Sequence, residues 1–169
     1  MISFGDYIDF LFSSAGREKE LSNMINEICT NKTDFFREPV HFDFLSQSGL
    51  KEYLSNTGKR SLSVWSAGCS SGEEAYSIAI LFYEYLEASK QHFTVQVFAT
   101  DIDANAIAIA RAGVYPLSIA SCVSEDRLKQ FFTAEPDGNT YRIHKNIRDL
   151  LIFSEHDLIK DPPFSKLDL

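Results

Sequence analysis

The sequence predicts an α/β protein in which a parallel sheet with flanking helices follows a short helical segment. Three observations predict it. Strand-length apolar stretches at Leu62–Ala67 and Phe93–Thr100 alternate with helix-periodic stretches at Glu73–Ala88 and Ala104–Ala112. A run of small residues, Gly68-Cys69-Ser70-Ser71-Gly72, joins the first strand to its helix. An acid, Asp101, stands directly after the second strand.

Taken in order, Phe4–Phe12 and Arg17–Cys29 read as two helices, the second with Leu21, Met24, Ile25 and Ile28 on one apolar face. Asn31–Glu38 is a polar stretch holding two adjacent phenylalanines, and Phe42–Lys51 with the SNTGKR segment leads into the first strand. In the long helix, Ala75, Ile78, Phe82 and Leu86 share a face. Ser124 can cap a third helix running through Phe132, with Glu125 and Asp126 at its positive end. Glu135–Thr140 reads as a turn, and Tyr141–His144 and Leu150–Phe153 as strands. The final KLDL reads as a further strand beginning. Such alternation implies helices on both faces of the sheet. Residues 1–30 are then a helical N-terminal remnant, 31–60 a linker and connecting helix, and 61–169 the start of the α/β domain.

Composition narrows the function classes. The 169 residues are 44% hydrophobic and 24% charged, with 16 basic against 24 acidic side chains and a net charge of −8. That balance, without a Lys/Arg stripe, argues against a nucleic-acid surface. No apolar run approaches the ~20 residues of a membrane span. The opening MISFGDYIDF carries acids where a secretory signal carries basic residues. The cysteines, Cys29, Cys69 and Cys122, are widely spaced and read as free thiols of a cytoplasmic protein rather than metal ligands. His41, His92, His144 and His156 form no ligand spacing, so no metal is expected, and Trp65 reads as core.

Three stretches could carry chemistry. The small-residue turn is not GxGxxG, so the dinucleotide fingerprint fails, and Glu73 and Glu74 would repel a pyrophosphate. They either complement the helix dipole or meet a cationic or hydroxyl-bearing ligand. In VFATDIDANAIAIAR, Asp101 suits the two hydroxyls of a ribose and Asp103 the cap of the next helix. In TNKTDFFREP, Phe35 and Phe36 either anchor a plain loop or frame a site built from Asn31, Thr33 and Arg37.

Together, TNKTDFFREP, VWSAGCSSGEEAYSIAI, ATDIDANAIAIARAGVYP and IRDLLIFSEHDLIKDPPFSKLDL resemble, in order and over nearly the whole chain, the CheR-type chemotaxis methyltransferases. The resemblance implies a Rossmann-like class I methyltransferase fold. It implies methyl transfer from S-adenosylmethionine to glutamates of methyl-accepting chemotaxis receptors, leaving S-adenosylhomocysteine. By the family pattern, Asn31, Thr33 and Arg37 contact the amino-acid end of the cofactor and the reaction centre. Arg37 is the catalytic candidate, orienting carboxylates with its planar fork. Glu73 and Glu74 line the cofactor, Asp101 holds the ribose, and Asp157 and Leu158 contact the adenine. The chemistry implied is in-line attack of a glutamate oxygen on the methyl carbon with departure of the thioether, which needs no general base because the carboxylate is ionised at neutral pH.

The family also has further N-terminal helices, one of them basic, and a segment beyond the fourth strand. The chain therefore reads as a part of a longer enzyme, cut at both ends, with weak or absent transfer activity alone. The sheet edge it leaves uncovered predicts pairing with another chain. The alternative is a non-catalytic S-adenosylmethionine-binding or interaction module; a nicotinamide-dependent oxidoreductase fails on the missing glycine fingerprint. The expected partner is the cytoplasmic region of a chemoreceptor, with no nucleic acid and no membrane insertion.

Overall fold

The computed structural model describes residues 3–21, 23–24, 32–57, 61–90 and 93–169. The chain divides into two compact units, Met1–Lys32 and Thr33–Leu169.

In the first unit, Ser3 and Asp6 form a reciprocal capping box that starts α1 (Phe4–Phe12). The Ser3 hydrogen bonds hold the Asp6 carboxyl below its usual range. Ser13 ends α1 and caps α2 (Ser14–Lys19) by accepting from the Gly16 amide. The helix expected over Arg17–Cys29 is thus interrupted: α2 ends at Lys19 with Glu20 as its C-cap, and helix resumes at Leu21. Leu21 and Met24 are helical, whereas Ile25, Ile28 and Cys29 lie outside the described residues.

In the second unit, residues 33–37 lead into α3 (Pro39–Phe44), which carries proline at its first turn, then a π-helical turn (Leu45–Gly49) and α4 (Leu50–Thr57). Phe35 and Leu50 are buried in the same hydrophobic cluster as Val64, Tyr76, Ile80 and Val97. Phe35 and Leu50, in the segment expected as a linker and connecting helix, thus belong to this unit's core.

Strand β1 (Ser61–Ala67) buries Leu62, Val64 and Ser66 and turns Ser63 and Trp65 the other way. Next come α5 (Glu73–Ser89), β2 (Thr94–Asp101) and α6 (Ala104–Ala112). Helix α5 is buried over much of its first half, at Tyr76, Ala79, Ile80 and Leu81 as well as the expected Ala75 and Phe82. The sheet is completed by β6 (Leu151–Glu155), parallel to β2, in the order β1-β2-β6. The terminal residues extend it on the free side of β1, where the Asp168 amide donates to Ser63 O (2.7 Å) and the Trp65 amide to Leu169 O (2.9 Å). Tyr53 of α4 donates its hydroxyl to the Asp168 carboxylate, which also accepts from the Ser63 amide.

Between α6 and β6 lies an insertion that sequence periodicity did not separate from the main sheet. Strand β3 (Val114–Pro116) is followed by a 3-10 turn (Leu117–Ser121), α7 (Glu125–Phe131), β4 (Phe132–Ala134), β5 (Thr140–Ile143) and α8 (Lys145–Arg148). The three strands form a second, antiparallel sheet in the order β3-β5-β4. The stretch expected as Tyr141–His144 is its central strand, and Phe132 starts β4 rather than ending the helix that Ser124 caps.

The helices are not evenly shared between the two faces of the parallel sheet. Strand order runs in one direction from β1 through β2 to β6, and successive right-handed crossovers in one direction place their helices on one face. Leu62, Val64, Val97, Ala99 and Phe153 accordingly cluster with α5 and α6 residues. On the opposite face, the register aligns Trp65 with Phe98 and Phe98 with Ile152, which is 48% exposed. Phe164 covers part of this row, with ring centroids 5.0 Å from Trp65 and 5.3 Å from Phe98. Trp65 is therefore half-buried rather than core, its indole donating to Thr100 Oγ1 at 2.9 Å. Among the described residues no helix is long and apolar enough to cross a membrane.

Asp103 caps α6 as its position predicts, accepting from the amides of Asn105 and Ala106. Asp103→Ala is expected to cost about 1 kcal/mol, read as a lower urea midpoint at unchanged m-value.

Candidate cofactor site

The carboxyl ends of β1 and β2 lie beside each other, and the loop 68–72 crosses above them. Its path is set by backbone bonds: the amides of Gly68 and Cys69 both donate to Thr100 O, at 2.8 and 2.9 Å. Asp101 continues the anchoring. Its Oδ2 accepts from the Ser70 amide at 2.7 Å and its Oδ1 from the Asp103 amide at 2.9 Å. Each oxygen keeps a lone pair for a further donor, as two vicinal hydroxyls require. At Gly68, with φ of +76°, a Cβ would meet nothing within 4 Å, so space for a ligand lies directly against the backbone.

The two adjacent glutamates, both expected along the cofactor, diverge. Glu74 is exposed and its Oε1 accepts from the Ser66 hydroxyl at 2.7 Å, bracing the end of β1. Glu73 lines a cavity of about 230 Å³ together with Thr33, Asp34, Ser118, Ser121 and Cys122. Both oxygens of Glu73 accept from the Ser71 hydroxyl, at 3.0 and 2.7 Å. Burial first, and the nearby Asp34 charge, push the Glu73 carboxyl above its ordinary range despite that bond. A desolvated carboxylate facing a second acid suits a positively charged group.

Thr33 and Asp34 are carried there by Phe35, 2% exposed, whose ring meets those of Tyr115 and Phe132 edge-on at 5.0 and 5.5 Å. The Phe36 amide donates to Ser77 Oγ (2.9 Å), tying the loop to α5. Arg127 stacks over the Phe36 ring at 4.0 Å and makes a two-pronged bond to Glu84 with both contacts at 2.8 Å. Arg37 is exposed and is not one of the residues lining the cavity. Asn31 lies outside the described residues.

At the end of β6, the His156 amide donates to Asp101 O (2.9 Å), so residues 156–161 stand beside the Asp101 end. The Asp157 carboxylate is engaged within its own turn by the amides of Ile159 and Lys160 and by the Lys160 ammonium. Those bonds, that of Lys160 foremost, hold it below the usual range. Asp157 thus shapes the turn, which presents Leu158, 58% exposed, beside the still more exposed Ile159. Ile102, 63% exposed directly after Asp101, offers a second apolar surface at the same strand ends; sequence reasoning passed over it. Cys69 is 1% exposed, and burial followed by the Asp101 charge pushes its thiol up to about 12, which keeps it protonated and unreactive.

A larger cavity of about 640 Å³ involves Tyr83, Leu86, Phe93, Thr94 and Leu150, at the opposite ends of the strands. Ligands in open α/β sheets bind at the carboxyl ends, where the anchored loop and Asp101 are. The residues present fit S-adenosylmethionine. They offer an acid with spare lone pairs for a ribose, open space against Gly68, two exposed apolar side chains for a base, and an acidic cavity for an ammonium group.

Comparison with known proteins agrees. Residues 31–169 match the family model described as "CheR methyltransferase, SAM binding domain". The chain is 36% identical over 175 residues to a chemotaxis protein methyltransferase of Borreliella burgdorferi, covering 97% of this chain and 59% of that protein. It is 34% identical over 160 residues to chemotaxis protein methyltransferase 2 of Pseudomonas aeruginosa, covering 94% of this chain and 54% of that protein. A 104.1 kDa uncharacterized protein of Rhodobacter capsulatus is 36% identical over 151 residues, or 89% of this chain and 16% of its own length. The chain thus spans well under two thirds of the relatives it matches. It belongs to the CheR methyltransferase family, of which it carries the S-adenosylmethionine-binding domain.

Proposed function

We propose that the chain is the cofactor-binding part of a cytoplasmic protein-glutamate O-methyltransferase acting on chemoreceptors. The observation that carries this reading is the pairing of Asp101 with the loop it anchors, within a CheR-family domain. S-adenosylmethionine supplies the electrophilic methyl group and its positive charge. Asp101 takes the ribose hydroxyls, while Ile102 and Leu158 enclose the adenine beside the turn that Asp157 builds. Glu73, with Thr33 and Asp34, takes the ammonium end, and Arg37 and Asn31 orient carboxylates. Glu74 supports the loop from β1. The acceptor glutamate is ionised at neutral pH, so no side chain of the chain needs to remove a proton. Its contribution is alignment and exclusion of water.

A second reading, a cofactor-binding module without transfer activity, draws on the match to a small part of a 104.1 kDa protein. Calorimetric titration with S-adenosylmethionine is expected to show binding that Glu73→Gln weakens roughly tenfold. The ligand-free variant should be no less stable, since a desolvated charge is removed. The full-length protein, given methyl-labelled cofactor and a receptor cytoplasmic fragment, should form base-labile methyl esters. Binding without ester formation selects the second reading, and absence of binding overturns both.

A further inference from the structure

Tyr115 lies on β3, at the end of the ATDIDANAIAIARAGVYP stretch but with no role given to it there, and it contacts both Phe35, which lines the acidic cavity, and Ser71, which holds Glu73. It is 2% exposed. Its hydroxyl donates to Ser71 O at 2.7 Å, and the Ser71 side chain in turn holds both oxygens of Glu73. Its ring meets Phe35 edge-on, with centroids 5.0 Å apart and planes at 83°. Phe35 follows Thr33 and Asp34, which line the cavity, as does Pro116, the chain neighbour of Tyr115. Where Gly72 would carry a Cβ, that Cβ would come within 3.2 Å of the Tyr115 hydroxyl, so phenol and loop are in close contact.

We propose that Tyr115 is a positioning residue for the cofactor, its hydroxyl fixing Ser71 and through it Glu73, and its ring fixing Phe35 and through it Thr33. The proposal rests on the reading of this cavity as the ammonium end of an S-adenosylmethionine site. Burial also pushes the phenol above its ordinary range, so it stays a proton donor at every physiological pH. The peptide that carries Ser71 O is held at both ends, by the Tyr115 hydroxyl on the carbonyl and by the Gly72 amide donating to Cys69 O at 2.9 Å. A loop fixed before any ligand arrives lowers the cost of binding.

Tyr76 supplies the control. Its hydroxyl is also buried and also donates to a carbonyl, Ala110 O at 2.8 Å, but that carbonyl belongs to α6 and not to the loop. Loss of either hydroxyl removes one buried hydrogen bond, so Tyr115→Phe and Tyr76→Phe should lower the melting temperature of the ligand-free protein by similar amounts. Titration with S-adenosylmethionine separates them. Tyr115→Phe is expected to raise the Kd roughly tenfold and Tyr76→Phe less than twofold. Equal changes in the two variants, or a Tyr115→Phe Kd within twofold of the wild type, would reduce Tyr115 to a core residue and overturn the proposal. Failure of the wild-type protein to bind overturns the cofactor reading itself and the inference with it.

Discussion

Asp101→Ala is expected to weaken S-adenosylmethionine binding by roughly 100-fold or more, the sum of two charge-assisted hydrogen bonds lost to the ligand. The effect is larger than removal of a ligand contact alone. Each oxygen of this carboxylate also holds a backbone amide, Ser70 from the loop and Asp103 from the turn that caps α6. The alanine variant leaves both amides without their acceptor, and the ligand-free protein should lose about 2 kcal/mol of stability. Asp101→Asn isolates the charge: one oxygen remains, but the amide group that replaces the other faces an N–H donor. It should therefore behave more like alanine than its shape suggests. Calorimetry and urea unfolding on the same three proteins check both parts. An alanine variant that binds within threefold of the wild type would remove Asp101 from the site.

The regular part of this architecture was legible because each element is long enough to show its period. Leu62–Ala67 differs from the observed β1 by one residue, the helix expected to begin at Glu73 begins there, and α6 has the expected bounds. Asp103 was distinguishable from Asp101 because a cap and a strand end differ by position relative to the helix. The small antiparallel sheet was not legible. Its outer strands have three residues each, too few for alternation to register, and Phe131 and Phe132 read as continuing a helix. Tyr115 was lost with it, because no local pattern marks a tyrosine on so short a strand. The division of labour between Glu73 and Glu74 was equally hidden: which way each points depends on Ser71 and Ser66, contacts made only after folding. Trp65 illustrates a different limit, since alternation gives the two faces of a strand but not which face the helices cover. Crossover handedness together with strand order decides that.

The two glycines of the loop should separate stability from binding. Gly72 has φ of +96°, and an added Cβ would stand 2.9 Å from Ala110 Cβ and 3.2 Å from both Phe153 Cε1 and the Tyr115 hydroxyl. Three buried elements, α6, β6 and β3, would have to move to admit one methyl group, on top of the backbone strain of a left-handed conformation. Gly72→Ala is expected to cost about 3 kcal/mol, and to fall among the most destabilising single substitutions in the chain. Gly68 has φ of +76° but nothing within 4 Å of its Cβ position. Gly68→Ala carries only the backbone penalty, about 1 kcal/mol, and leaves the packing of the protein untouched. Yet its methyl would project into the open space against which the cofactor is read to lie, so its affinity should fall roughly tenfold or more. Thermal unfolding and S-adenosylmethionine titration of the two variants test this as a crossed pair. Were Gly68→Ala to bind normally, the ligand would not approach the loop at that point. A Gly72→Ala protein of wild-type stability would mean that the contacts among α6, β6 and β3 around the loop are looser than their distances indicate.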